Sequence, residues 1–239
     1  MELNQIITWD CIKILGGGED DNLKIDLVIT DPPYEFVSKN PVWWWFMHKE
    51  NKKHLKELNE SFWMSYNPTE FLELIKSKMR VFNAYIFTNK SLIKKYIEFA
   101  ENNWYKRDIL LRLKDNPVPI NNWHYLIDKE YCIYIKETWA IFNSDLWYRN
   151  YFTYERHSIG SRKYNHPTVK PLEMIERIIR ISSNEWDTVL DCYLWSWTTA
   201  VACKELNRNF IGIEINPEYC EIAKQRLKEV EIMQQQRLF

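Results

Sequence analysis

At 239 residues and 46% hydrophobic, the chain can bury one sizeable core, which argues against a disordered class. A formal net charge of −1 excludes a global basic footprint, so a nucleic-acid partner has to be met by a local patch. The five cysteines (11, 132, 192, 203 and 220) are odd in number and lack a C-x-x-C pair; a disulfide framework and a metal ribbon are therefore not expected.

The N-terminus has no basic region followed by a long apolar run, and no later segment reaches a membrane span, so a cytoplasmic protein is expected. Gln5 to Thr8 reads as a short strand, and Asp10 and Cys11 open a brief helix ending at Gly16 to Gly18. Ile25 to Thr30 is a nearly continuous β-branched run of the kind buried on both faces of a parallel sheet. It stops at Asp31-Pro32-Pro33-Tyr34, the carboxyl end of the strand, where open α/β sheets bind ligands.

Residues 35–67 are polar and irregular, which predicts an inserted, mobile substrate lobe within a single domain spanning 1–239. Pro68 begins a helix with Phe71, Leu72, Ile75 and Met79 on one face; a strand over Val81 to Phe87 and a helix from Ser91 to Ala100 follow. Lys106 to Arg112 and Tyr131 to Lys136 read as two further strands. Residues 143–165 interleave tyrosines with Arg149, Arg156, Arg162 and Lys163, a composition suited to phosphate contact and base stacking, and form the candidate target-recognition segment.

The turn His166 to Pro171 leads into a helix over Leu172 to Ser182. Thr188 to Asn216 is one βαβ unit: a strand ending in Asp191, a loop, a helix from Thr198 to Leu206, and a strand from Phe210 to Ile215 that holds Glu214. An acidic residue at that place is where dinucleotide-type folds hydrogen-bond ribose hydroxyls. Asn216 as N-cap and Pro217 at the first turn then start the last helix, which runs to about Met233.

The chemistry of Asp-Pro-Pro-Tyr is specific. An exocyclic amino nitrogen on a base is a poor nucleophile, because its lone pair is delocalised into the ring. The carboxylate of Asp31 and the carbonyl of Pro32 can accept the two amino hydrogens and localise that lone pair. The prolines fix the turn, and Tyr34 offers a ring on which a base rotated out of its helix can stack.

The order of Asp31-Pro32-Pro33-Tyr34, His166-Pro167-Thr168-Val169-Lys170-Pro171 and F-I-G-I-E-I-N over Phe210 to Asn216 resembles the β-class amino methyltransferases. The resemblance implies a Rossmann-like α/β fold of about seven mostly parallel strands with helices on both faces. It also implies methyl transfer from S-adenosylmethionine to adenine in double-stranded DNA, without metal. Asp10 and Cys11 would lie near the cofactor's adenine and Glu214 with Ile215 at its ribose. Asp191, Tyr193, Leu194, Trp195, Ser196, Trp197 and Thr198 would surround its methionine part, with Thr168 and Lys170 reaching the carboxylate. A homodimer and a restriction endonuclease partner are compatible with the resemblance, and the sequence leaves both open.

One loop departs from the family pattern: where Asp-Pro-Phe-x-Gly-x-Gly is expected, both glycine positions are tryptophan, Trp195 and Trp197. The chain holds 5 glycines and 12 tryptophans, against roughly 17 glycines from average usage. This leaves open an altered parent sequence, and a disabled nucleic-acid-binding protein, a cytosine-amino methyltransferase or an RNA methyltransferase as the alternative.

Overall fold

A computed structural model describes residues 1–17, 24–32, 66–114, 125, 128–143, 149–154, 170–194 and 197–236. Pro33, Tyr34, Arg156, Arg162, Lys163, Thr168, Trp195 and Ser196, with most of the expected lobe and recognition segment, lie outside the described residues.

The strands are β1 (Gln5–Thr8), β2 (Leu27–Thr30), β3 (Asn83–Thr88), β4 (Lys106–Lys114), β5 (Lys129–Lys136), β6 (Tyr151–Tyr154), β7 (Thr188–Asp191) and β8 (Asn209–Glu214). The helices are α1 (Cys11–Gly16), α2 (Pro68–Lys78), α3 (Ile93–Asn102), α4 (Leu172–Ser182), α5 (Thr198–Glu205) and α6 (Pro217–Gln236). One sheet joins the strands in the order β1-β8-β7-β2-β3-β5-β4-β6. Every neighbouring pair is parallel except those made by β5, which runs against both β3 and β4.

The Rossmann-like expectation is met, with eight strands rather than seven. The additional strand is β6, which falls inside the segment read as target recognition and pairs with β4 from Leu111↔Tyr151 to Lys114↔Tyr154.

Strands β2, β3 and β7 are buried along their whole length, as a sheet covered on both faces requires. On one face, Leu15, Phe71, Leu72, Ile75, Tyr96 and Phe99 pack from α1, α2 and α3. On the other, Met174, Ile175, Ile178 and Ile179 of α4 meet Ala200, Cys203 and Ala223 of α5 and α6. Each fully buried isoleucine contributes about 1.5–3 kcal/mol, so α4 is held by its apolar face more than by its ends. The parallel connections turn the carboxyl ends of β2, β7 and β8 to a common edge, and the reversed β5 brings its first residues there.

The tryptophans take unusual places. Of the described ones, Trp9, Trp104, Trp139, Trp186 and Trp197, none lies inside a helix or strand. Trp104, Trp186 and Trp197 have φ of 57°, 69° and 52°, the left-handed region that side chains resist.

Candidate active site

Asp31 and Pro32 directly follow β2, so the end of that strand delivers the Asp31 carboxylate and the Pro32 carbonyl to the sheet's carboxyl edge. The Asp31 Oδ2 accepts from Lys170 Nζ at 2.8 Å. Lys170 lies on the main chain just before α4, and its carbonyl accepts from Thr198 Oγ1 at 3.1 Å, which ties it to the start of α5. Its ammonium sits 4.6 Å from the Phe87 ring centroid and 3.7 Å from Glu130 Oε2.

Glu130 is itself gripped from below. Arg112 Nη1 donates to its Oε2 at 2.8 Å, and Lys114 Nζ reaches its Oε1 at 2.8 Å. The result is a mostly buried chain of alternating charge from β4 through β5 to Asp31. Burial acts to raise Glu130, yet Lys170, Arg112 and Lys114 outweigh it and hold the carboxyl well below its ordinary value. Burial likewise acts to lower Lys170, and Asp31 and Glu130 reverse that and favour its charged form. Burial pushes Asp31 up, with Lys170 as the main opposing influence.

One strand over, Asp191 closes β7. Its Oδ1 accepts from Tyr193 N at 3.2 Å and its Oδ2 from Thr199 Oγ1 at 2.8 Å, so the carboxylate braces the loop between strand and helix. Burial pushes it up to about 7, against those two hydrogen bonds. Glu214 closes β8 beside Thr8 of β1; its Oε1 accepts from Asn216 N at 2.8 Å, and burial raises it to about 7.

The remaining expected residues divide. Leu194 is buried and donates its N–H to the Ile213 carbonyl at 3.0 Å, and Thr198 is buried under Lys170, so both shape the loop. Tyr193 turns its ring into the first core layer, 5.6 Å from the Phe71 centroid. Cys11, the first residue of α1, is buried, touches Tyr193, and has its thiol pushed up to about 12 by burial. Asp10 caps α1, its Oδ1 accepting from Ile12 N at 2.9 Å and Lys13 N at 3.4 Å. Ile215 is partly exposed just past β8.

Trp197 has no exposed surface; Tyr219 meets it edge-on at 6.5 Å and Arg226 lies over its ring at 5.6 Å. The indole is thus wholly enclosed in the second core layer. Lys170, expected at a cofactor carboxylate, here places its ammonium on Asp31. Arg149 is exposed two residues before β6 and donates to Tyr151 Oη.

Glu130, Arg112 and Thr199 were not legible in the sequence. Nothing in Lys129-Glu130 at a strand's beginning signals an ion pair with Lys170 forty positions on. Thr199 carried one clue: it stands in the first turn of the helix that the loop feeds.

A mostly parallel sheet, with a hydrogen-bond-accepting turn beside two buried carboxylates at neighbouring strand ends, defines a Rossmann-like group-transfer enzyme. The chain belongs to the DNA methylase family of N6/N4 amino methyltransferases, whose model matches residues 25–225. It is 29% identical to the Type II methyltransferase M1.MboII of Moraxella bovis over 97% of this chain and 99% of that protein. It is 27% identical to M.HpaI of Haemophilus parainfluenzae over 93% of this chain and 74% of that protein.

Among solved structures, the M1.HpyAVI–SAM complex superposes with a TM-score of 0.69 at 29% identity, covering 93% of this chain and 98% of that one. The PvuII DNA methyltransferase (cytosine-N4-specific) superposes at 0.68 with 15% identity, over 92% and 84%, and is alike in fold. Over a shorter stretch, 63 residues, 26% of this chain and 21% of that protein are 49% identical to the DNA adenine methyltransferase YhdJ of Escherichia coli (strain K12).

Proposed function

We propose that this DNA methylase transfers the methyl group of S-adenosylmethionine to the exocyclic amino group of adenine, in double-stranded DNA whose target base is rotated out. The observation that carries the reading is the placement of Asp31 and the Pro32 carbonyl at the end of β2, one strand from Asp191 and two from Glu214. That spacing suits a base amino group met at β2 and a nucleoside cofactor laid across β7 and β8. Asp-Pro-Pro-Tyr and the likeness to a protein named an adenine methyltransferase favour adenine.

The residues present fit the cofactor. Glu214 is held by the Asn216 N–H in a position to accept from ribose hydroxyls, and Asp191 with Leu194 and Thr198 sets the loop that would face the methionine part. The cofactor supplies an electrophilic methyl group. Asp31 accepts one amino hydrogen of the base and the Pro32 carbonyl the other, which turns the nitrogen lone pair toward that methyl. Asp31 then takes the proton that the nitrogen sheds as the new bond forms.

Tyr34 would stack the extruded base, and Pro33 would stiffen the turn. Arg149, Arg156, Arg162 and Lys163 in residues 143–165 would contact phosphates, with residues 35–67 as the substrate lobe. A restriction endonuclease sharing the recognition site, self-association as a dimer and a cytoplasmic location complete the proposal; among the described residues no helix is long and apolar enough to cross a membrane.

The test is calorimetric titration of S-adenosylmethionine into the chain and into a W195G/W197G variant, followed by methyl transfer to adenine-containing duplex DNA. Binding and transfer by either form support the reading. Binding by neither removes the cofactor assignment, and binding without transfer favours a disabled nucleic-acid-binding protein.

A further inference from the structure

We propose that Glu130 and Lys170 are positioning residues for methyl transfer: Glu130, clamped by Arg112 and Lys114, anchors the Lys170 ammonium, which in turn pairs with Asp31 and orients it for the target amino group. The inference rests on the function proposed above and adds residues from β4 and β5, strands outside the cofactor-binding βαβ unit. Geometry carries it. Lys170 takes Asp31 Oδ2 at 2.8 Å, Glu130 stands 3.7 Å from the same ammonium, and Arg112 is only 7% exposed. A protonated carboxyl is a weaker acceptor and cannot take the proton the nitrogen sheds, so a part-buried Asp31 needs a fixed cation beside it.

The groups facing Asp31 are Lys170 from the turn before α4, Glu130 and Cys132 from β5, Arg112 from β4, Asp191 from β7 and Tyr96 from α3. Lys170 and Arg112 favour the ionised form, and Glu130 opposes it. Two variants therefore move the acid limb of kcat in opposite directions. K170M removes the stabilising cation and shifts the limb to higher pH; E130Q removes a repelling charge and shifts it to lower pH, while loosening Lys170 and lowering kcat roughly tenfold. K170R restores part of kcat, and KM for the cofactor changes little in all three.

The assay uses methyl transfer to duplex DNA by whichever of the parent and W195G/W197G forms is active. Limbs that move together, or not at all, overturn the inference. No transfer by either parent form overturns the function it rests on instead.

A different observation carries a second inference. Helix α3 ends in a Schellman motif: Tyr105 N donates to Ala100 O at 2.8 Å and Trp104 N to Glu101 O at 3.1 Å, which puts Trp104 at the left-handed position that glycine usually fills. The same place after α5 holds Asn207, an accepted substitute, with Arg208 N on Cys203 O at 2.8 Å. Trp186 turns left-handed before β7, and Trp197 does so at the N-cap of α5. Trp104 and Trp186 are 92% and 71% exposed, so burial does not account for an indole at either place.

We infer that these positions are glycine in the protein made by its own host, through a codon that one genetic code assigns to tryptophan and another to glycine. The cofactor loop would then read Gly-Ser-Gly over 195–197. The gene tests this directly: Trp104, Trp186, Trp195 and Trp197 share the triplet UGA, and UGG at those places overturns the inference. Independently, W104G and W186G each raise Tm by roughly 2–4 °C by relieving backbone strain; a fall in Tm for both overturns it as well.

Discussion

Leu194 lies so close to Gly212 that a Cβ added to the glycine would stand 2.5 Å from Leu194 Cδ2. The two residues join the loop after β7 to β8, since Leu194 N also donates to the Ile213 carbonyl at 3.0 Å. Gly212 pairs with Asp191 across the β7–β8 register, so this contact sits beneath the carboxylate that braces the loop. G212A must push the leucine out of its place. Overpacking of this kind costs about 1–3 kcal/mol, and it should lower the urea midpoint and weaken cofactor binding together. An unchanged midpoint would show that the loop yields freely.

Asp191 and Glu214 predict a pH dependence of stability. Burial raises both carboxyls to about 7 in the fold, above their ordinary values near 4. Between those values the folded chain binds more protons than the unfolded one, so stability is fully present below about pH 4 and is lost as pH rises through about 7. The loss is on the order of a few kcal/mol for the pair, because each senses the other's charge and their effects do not simply add. D191N and E214Q carry no charge to bury, so each should flatten the fall in Tm between about pH 5 and about pH 8. Parallel Tm profiles for parent and variants would refute the burial of charge as the cause.

The frame of the fold was legible because its signals are local. The β-branched run into Asp31, the apolar face of the helix after Pro68 and the alternation around Glu214 each report on neighbouring residues. Strand β6 was missed because Tyr151 to Tyr154 is a short edge strand, fixed by pairing with β4 rather than by its own pattern. The site split along the same line. Asp31 and Glu214 announce themselves by the turns they occupy, whereas Glu130 and Arg112 matter through a pairing that only the reversed β5 creates. Lys170 was singled out by its turn, but its pairing with Asp31 was not legible, since spacing shows that an ammonium is near the edge without showing which carboxylate it meets.

Asn216 separates a capping role from a cofactor role. Its side-chain Oδ1 accepts from Glu218 N at 2.8 Å and starts α6, while its backbone N–H holds Glu214. N216A should therefore cost about 1 kcal/mol of stability and leave the cofactor affinity nearly unchanged, with N216D close to the parent in both. Calorimetric binding beside thermal unfolding checks the split, and a large loss of affinity in N216A would mean that the side chain itself reaches the site.

Asp31 gives the sharpest test of the proposed mechanism, because it follows β2 while the carboxylates proposed for the cofactor close β7 and β8. D31N keeps a carbonyl oxygen of similar size, yet it removes the charge that Lys170 pairs with and the base that takes the amino proton. kcat should fall by roughly a hundredfold or more, with cofactor affinity little altered, since the interaction lost is one realised as the methyl moves. D31N also leaves the Lys170 ammonium with Glu130 alone, so a D31N/K170M double variant should lose less than the two single losses combined. Independent, multiplying losses would mean that the 2.8 Å ion pair has no part in catalysis. A D31N protein that transfers methyl groups at the parent rate would mean that the Pro32 carbonyl and its surroundings suffice to activate the amino group without a carboxylate.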